Sequence, residues 1–184
     1  VGANVVLLGV VPTPAVAYLI KKYNADAGIM ISASHNPFEF NGIKIFSGDG
    51  YKLPDLLEER IEAIVLDHAV QLPAPVGGGV GKIRLAETAC RAYIDHIKGS
   101  APSTLAGLRI AVDCANGSAS TIAKSVFDAL GADTYVINSE PNGLNINTRT
   151  AKKIKGTKRL YLLKALRKKH IYHIYDQGFL SESL

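Results

Sequence analysis

Apolar residues come along this 184-residue chain in short unbroken runs set between polar turn formers, with stretches of helical spacing between the runs. That alternation builds α/β domains. Residues 4–11 read as a strand. Pro12-Thr-Pro14 then opens a helix, with Thr13 as its cap and Pro14 at the first helical position. Residues 27–31 are uninterruptedly apolar and read as a buried strand of a parallel sheet, followed by a loop over 32–37 and a further apolar stretch over 43–46. Gly48-Asp-Gly50 reads as a tight turn, because a single carboxylate does not make a magnesium site. Residues 54–66 carry acids early and place Leu57, Ile61, Ile64 and Val65 on one helical face. Residues 67–85 look irregular, and 87–97 look helical, burying Ala89, Tyr93, Ile94 and Ile97. A strand over 108–112, a helix over about 119–130 and a strand over 134–137 complete the pattern. The order predicts two α/β units with mixed sheets flanked by helices: residues 1–98, a linker at 99–107, a second unit over 108–148, and a tail over 149–184.

The loop after the second strand carries the candidate chemistry. In open α/β sheets ligands bind outside the carboxyl ends of the strands, and Asn36-Pro37 keeps the segment from running on as helix. Ser34 is thereby presented as a nucleophile, with His35 as a proton carrier and Lys44 as a cation. Each has a plainer alternative. The serine can cap the next segment, the histidine can orient the loop by hydrogen bonding, and the lysine can be a surface residue of an edge strand. Asp113-Cys-Ala-Asn-Gly117 reads as a strand-to-helix turn rather than a phosphate cradle.

The string Met30-Ile-Ser-Ala-Ser-His-Asn-Pro37, followed by Asn41-Gly-Ile-Lys-Ile-Phe46 and Asp49-Gly-Tyr-Lys-Leu53, resembles the active-site serine region of the α-D-phosphohexomutases. Leu8-Gly-Val-Val-Pro-Thr-Pro-Ala-Val-Ala-Tyr18 upstream agrees, as do Val112-Asp-Cys-Ala-Asn-Gly117 and Pro141-Asn-Gly-Leu-Asn-Ile-Asn147 downstream. The resemblance runs over residues 1–148 and implies a phosphohexomutase domain I without its N-terminal start, then the beginning of domain II. It is most similar to the branch acting on hexosamine phosphates, with the mannose and glucose phosphate branches as siblings.

The resemblance implies phosphoryl transfer between the 1 and 6 positions of a hexosamine phosphate, through a phosphoserine at Ser34 and a hexosamine 1,6-bisphosphate. Lys44 would offset charge on the transferring oxygens and His35 would shuttle the hydroxyl proton. The cofactor implied is Mg2+, held by Ser34 through its phosphate and by an Asp-Gly-Asp-Gly-Asp-Arg loop of the second domain. This sequence contains no such loop. The expectation is therefore a chain that is inactive alone, or a noncatalytic phosphosugar-binding module.

Composition changes this picture only toward the C-terminus. Hydrophobic residues at 47% and charged ones at 20% describe a folded chain. No apolar run reaches membrane-spanning length and Val1-Gly-Ala-Asn4 does not begin a signal peptide, so a cytoplasmic location without a membrane partner is the default. Cys90 and Cys114 lack metal spacing and read as reduced thiols in or near the core. Residues 1–148 hold 11 basic and 14 acidic side chains, a net −3, whereas 149–184 hold 10 and 2, a net +8. The family resemblance stops at that same point, the pattern a change of reading frame leaves. Residues 158–169 read as a basic amphipathic helix, but no nucleic-acid motif accompanies them and a solvated face is the ordinary reading. Residues 171–175 look like a strand, which argues against a metal pair of His170 and His173.

Overall fold

The computed structural model describes residues 2–148 and, as backbone, 171–175. The basic amphipathic stretch 158–169 and His170 lie outside the described residues. Contacts sort the rest into two compact units that interleave along the chain. One takes the described residues up to Gly9, Thr13–Met30 and Ile43–Ala89; the other takes Val10–Pro12, Ile31–Gly42 and the described residues from Cys90 onward.

In the first unit β1 (Val5–Leu7) runs parallel to β4 (Ile83–Leu85), with Val5 opposite Ile83 and Leu7 opposite Leu85. The strand is shorter than the 4–11 run predicts, because Gly9 turns the chain at φ +72°. β4 falls inside the stretch read as irregular. Its pairing is fixed by the backbone and by Asn4, whose Oδ1 accepts the Lys82 N–H at 2.9 Å. Helix α1 (Thr13–Tyr23) buries Ala15, Val16, Leu19 and Ile20 along one face. It stops where Asn24 takes a left-handed φ of +50° and the Ala25 N–H donates to the Ile20 carbonyl at 3.0 Å.

β2 (Ala27–Ser32) pairs with β3 (Gly42–Ser47) in a two-stranded sheet. A Cβ on Gly28 would collide with the Ile20 and Val16 side chains, so glycine lets α1 lie close to this strand. Burial of β2 on both faces is the expectation that needs correcting. Its residues alternate between half-buried and exposed, with Ile29 at 62% and Ile31 at 66% exposure, because among the described residues only β3 flanks it and one face is left uncovered. Helix α2 (Asp55–Leu66) forms as its spacing predicts but buries no residue fully; Ile61 and Ile64 are half-buried while Leu57 and Val65 are exposed.

Helix α3 (Ala89–Ser100) leads into the second unit and half-buries Tyr93, Ile94 and Ile97. There β5 (Arg109–Asp113) is the middle strand of an all-parallel sheet, between β6 (Asp133–Ile137) and β7 (Ile171–Tyr175). Four successive β5 residues from Ile110 to Asp113 are buried, as a central parallel strand requires. Helix α4 (Ala123–Ala129), entered through a 3-10 turn at Ser118–Thr121, crosses between β5 and β6. Ile110, Val112, Cys114, Ala123 and Ala132 form the core, with Leu105, Phe127 and Val136 packed against it. The 99–107 connection is anchored at its far end: the Leu105 N–H and the Thr104 hydroxyl both donate to the Leu130 carbonyl, at 2.8 and 3.0 Å. Cys114 is fully buried and Cys90 half-buried, and neither is in a disulfide. Among the described residues no helix is long and apolar enough to cross a membrane.

Candidate active site: the serine loop

The loop between β2 and β3 hangs on Ala33, which is 3% exposed, while Ser34 and His35 on either side of the bend are exposed. Ser34 takes a left-handed φ of +55°, a conformation that a side chain with a Cβ normally avoids. Three local bonds hold it there. The Ser34 N–H donates to Ser32 Oγ at 3.0 Å, the Asn36 N–H to the Ala33 carbonyl at 2.9 Å, and the Phe40 N–H to the Pro37 carbonyl at 3.1 Å. The plainer reading of Ser34 as a cap finds no support, since no helix follows Pro37 and the residue that bonds a backbone N–H is Ser32.

A fourth tie comes from Asn147, at the end of the continuous described stretch. Asn147 Nδ2 donates to the carbonyl oxygens of Ser34 and Asn36, each at 2.9 Å. With the backbone N–H and C=O of Ser34 both bonded, Oγ is the part of the residue left for chemistry with a ligand.

Asn147 is itself built into a lattice of amides at the carboxyl ends of β5 and β6. The buried Asp113 Oδ1 accepts from the Ala115 N–H at 3.0 Å and from Asn138 Nδ2 at 2.8 Å. Asn116 accepts from the Glu140 N–H at 3.2 Å and donates to the Asn145 carbonyl at 3.3 Å. The Asn147 N–H closes the chain on the Ala115 carbonyl at 2.7 Å. Ala115, Asn116, Asn138 and Asn147 all have φ between +49° and +58°. Asparagine tolerates that region far better than most residues, which is why the corner is made of asparagines. A polar depression of about 660 Å³ opens beside them, lined by Asn116, Asn138, Ser139, Glu140, Asn142 and Asn145.

The other predicted residues fall as follows. Lys44 is half-buried on β3, within the first unit. Asp49 is exposed in a reversal closed by the Gly50 N–H on the Ser47 carbonyl and the Ser47 N–H on the Tyr51 carbonyl, both at 2.8 Å, so it is the turn its sequence predicts. Asn116-Gly117 is a structural turn, with the Gly117 N–H on the Cys114 carbonyl at 2.8 Å. Among the described residues no three His, Cys, Asp or Glu side chains come together as a metal-holding group. Sequence reading missed Asn147, Asn138 and Asp113 as parts of the site. Four asparagines within 138–147 were the available signal.

Residues 1–71 match the family described as phosphoglucomutase/phosphomannomutase, alpha/beta/alpha domain I. The chain is 53% identical over 147 residues to the phosphoglucosamine mutase of Acetivibrio thermocellus, and 51% identical over 146 residues to that of Clostridium tetani. The chain belongs to the α-D-phosphohexomutase family. These alignments cover 80% and 79% of the chain but 33% of each relative, so this phosphohexomutase sequence spans a third of their length. A phosphoglucomutase/phosphomannomutase family protein of Burkholderia thailandensis has the same fold, with a TM-score of 0.66 at 23% identity, over 88% of this chain and 36% of that one.

Proposed function

We propose that this chain carries the phosphoserine segment of a phosphoglucosamine mutase, which interconverts glucosamine 6-phosphate and glucosamine 1-phosphate. The observation that carries the reading is identity above one half to phosphoglucosamine mutases over 147 and 146 residues of this chain. The exposed, conformationally fixed serine supports it.

In this reading Ser34 Oγ bears a phosphoryl group. The free hydroxyl of the sugar phosphate attacks the phosphorus, the bond to Ser34 Oγ breaks, and His35 takes up the hydroxyl proton. The product is glucosamine 1,6-bisphosphate. After it turns over in the site, Ser34 attacks the other phosphate and recovers its phosphoryl group, so no phosphate is consumed. Lys44 supplies positive charge to the transferring oxygens. Phosphohexomutases are generally metal-dependent. The described residues do not by themselves make a cation site.

The test is to incubate the protein with glucosamine 1,6-bisphosphate and magnesium and to map phosphate by mass spectrometry. Phosphate on Ser34, absent in Ser34→Ala, is the expected result. Phosphate elsewhere, or none on Ser34 while the bisphosphate still binds, would leave a phosphosugar-binding module instead.

A further inference from the structure

Asn147 is 6% exposed, lies 113 residues beyond Ser34 in sequence, and spends its amide on two carbonyls of the serine loop. A side-chain NH2 carries two hydrogens in a fixed plane, so bonding both Ser34 O and Asn36 O sets the distance and the tilt between those two peptide groups. Between the two carbonyls along the backbone lie all of His35 and the Cα of Asn36. Ser34 stands at φ +55°, which persists in a non-glycine residue only where the surroundings over-determine it. The local turn bonds fix the loop from one side and Asn147 fixes it from the other.

We infer that Asn147 is a positioning residue for the Ser34 phosphoryl transfer: its forked donation holds Ser34 and His35 in the left-handed bend from which the hydroxyl and the imidazole are presented. The inference rests on the reading of Ser34 as the phosphate carrier. Its backbone suits the task, because φ of +58° at Asn147 lets the amide turn back toward the loop while its own N–H stays on the Ala115 carbonyl.

Two variants separate the side chain from the fold. Asn147→Gly keeps the left-handed backbone accessible and deletes the amide. Asn147→Asp keeps the shape and replaces the donor with an acceptor facing two carbonyls. The full chain of each is labelled with 13C and 15N, and the Ser34 and Asn36 carbonyl shifts are recorded with the β5 amides as a check on folding. The rate of Ser34 phosphorylation by glucosamine 1,6-bisphosphate is measured over a range of donor concentrations. Both variants are expected to lose the bonded Ser34 and Asn36 carbonyl shifts with β5 unchanged, and to lower the maximal rate about a hundredfold with the half-saturating donor concentration nearly constant.

Parent-like shifts and a parent-like rate in Asn147→Gly would overturn the inference, as would a change only in the half-saturating concentration. If Asn147→Gly fails to fold, Asn147→Asp decides by the same readouts. If the parent protein takes no phosphate on Ser34, the functional reading falls, and the carbonyl shifts alone then uphold or remove the clamp.

Discussion

Replacing Asp113 by alanine should destabilise the second unit by about 2–3 kcal/mol, whereas Asp113→Asn should cost about 1 kcal/mol or less. The figures come from what the side chain holds. Asp113 is 1% exposed, and its Oδ1 accepts from the Ala115 N–H at 3.0 Å and from Asn138 Nδ2 at 2.8 Å. Two hydrogen bonds to a carboxylate are worth about 1.5–3 kcal/mol each, and the lower end applies here because water can replace part of the loss at partners that are only half-buried. From that sum of about 3 kcal/mol at most about 1 kcal/mol returns, the low end of the strain released if Ala115 leaves its left-handed φ of +52°. Asparagine retains an acceptor oxygen in the same place and forfeits mainly the charge assistance. Urea unfolding followed by circular dichroism is the assay. With a slope near 2 kcal/mol per molar, the midpoint of the alanine variant should fall by about 1 M. An alanine variant no less stable than the asparagine variant would refute the argument, because the two donors would then not depend on that oxygen.

Gly50 and Gly77 test contact against conformation. Both are left-handed, at φ +78° and +56°, but a Cβ on Gly50 would lie 2.6 Å from the Ala17 carbonyl oxygen while one on Gly77 would meet nothing within 4 Å. Gly50→Ala should therefore cost at least about 1 kcal/mol more than Gly77→Ala in thermal unfolding, and equal losses would rule out the clash. A second test concerns acid. The Lys124 ammonium, 2.7 Å from Asp128, holds that carboxyl below its ordinary 3.8. Because the folded value is the lower one, the pair's stabilisation is present above 3.8 and is lost as pH falls through the depressed folded value. With both groups largely exposed it is worth no more than about 0.5 kcal/mol, so Asp128→Asn should remove a small acid-side slope from the unfolding free energy and leave stability at higher pH lower by that amount. A folded-state titration of Asp128 by NMR at or above 3.8 would contradict it.

The elements most legible in the sequence were those whose signals are local. Pro12-Thr-Pro14 announced α1, the apolar run before Asp113 announced β5, and the residues between them and Ile137 announced the β-α-β of the second unit. The serine loop was equally plain, since a polar hexapeptide ending in Asn-Pro follows directly on an apolar run. β4 was not legible because Ile83-Arg-Leu85 is too short to show a period, and it becomes a strand through a partner 78 residues away, beside which Asn4 and Lys82 meet. For β2 the reason is related: an apolar run records that a strand can be buried on both faces, not that neighbours are present to cover Ile29 and Ile31. The candidate site divides the same way. Ser34 and His35 sit in one short string, whereas Asn147 belongs with them only because two chain segments far apart in sequence fold to the same place, which no spacing within either segment records.

That separation orders events in time. A ribosome adding about 5–20 residues per second makes Ser34 roughly 6–23 s before the residue that clamps it, 113 positions later. Throughout that interval β2, the serine loop and α1 can exist, but the bend at Ser34 lacks its outer hold, and a contact of such long sequence separation is among the last to form. The nascent chain thus carries Ser34 with its bend unclamped, and the clamp waits on the synthesis and closure of the asparagine corner at the end of β6.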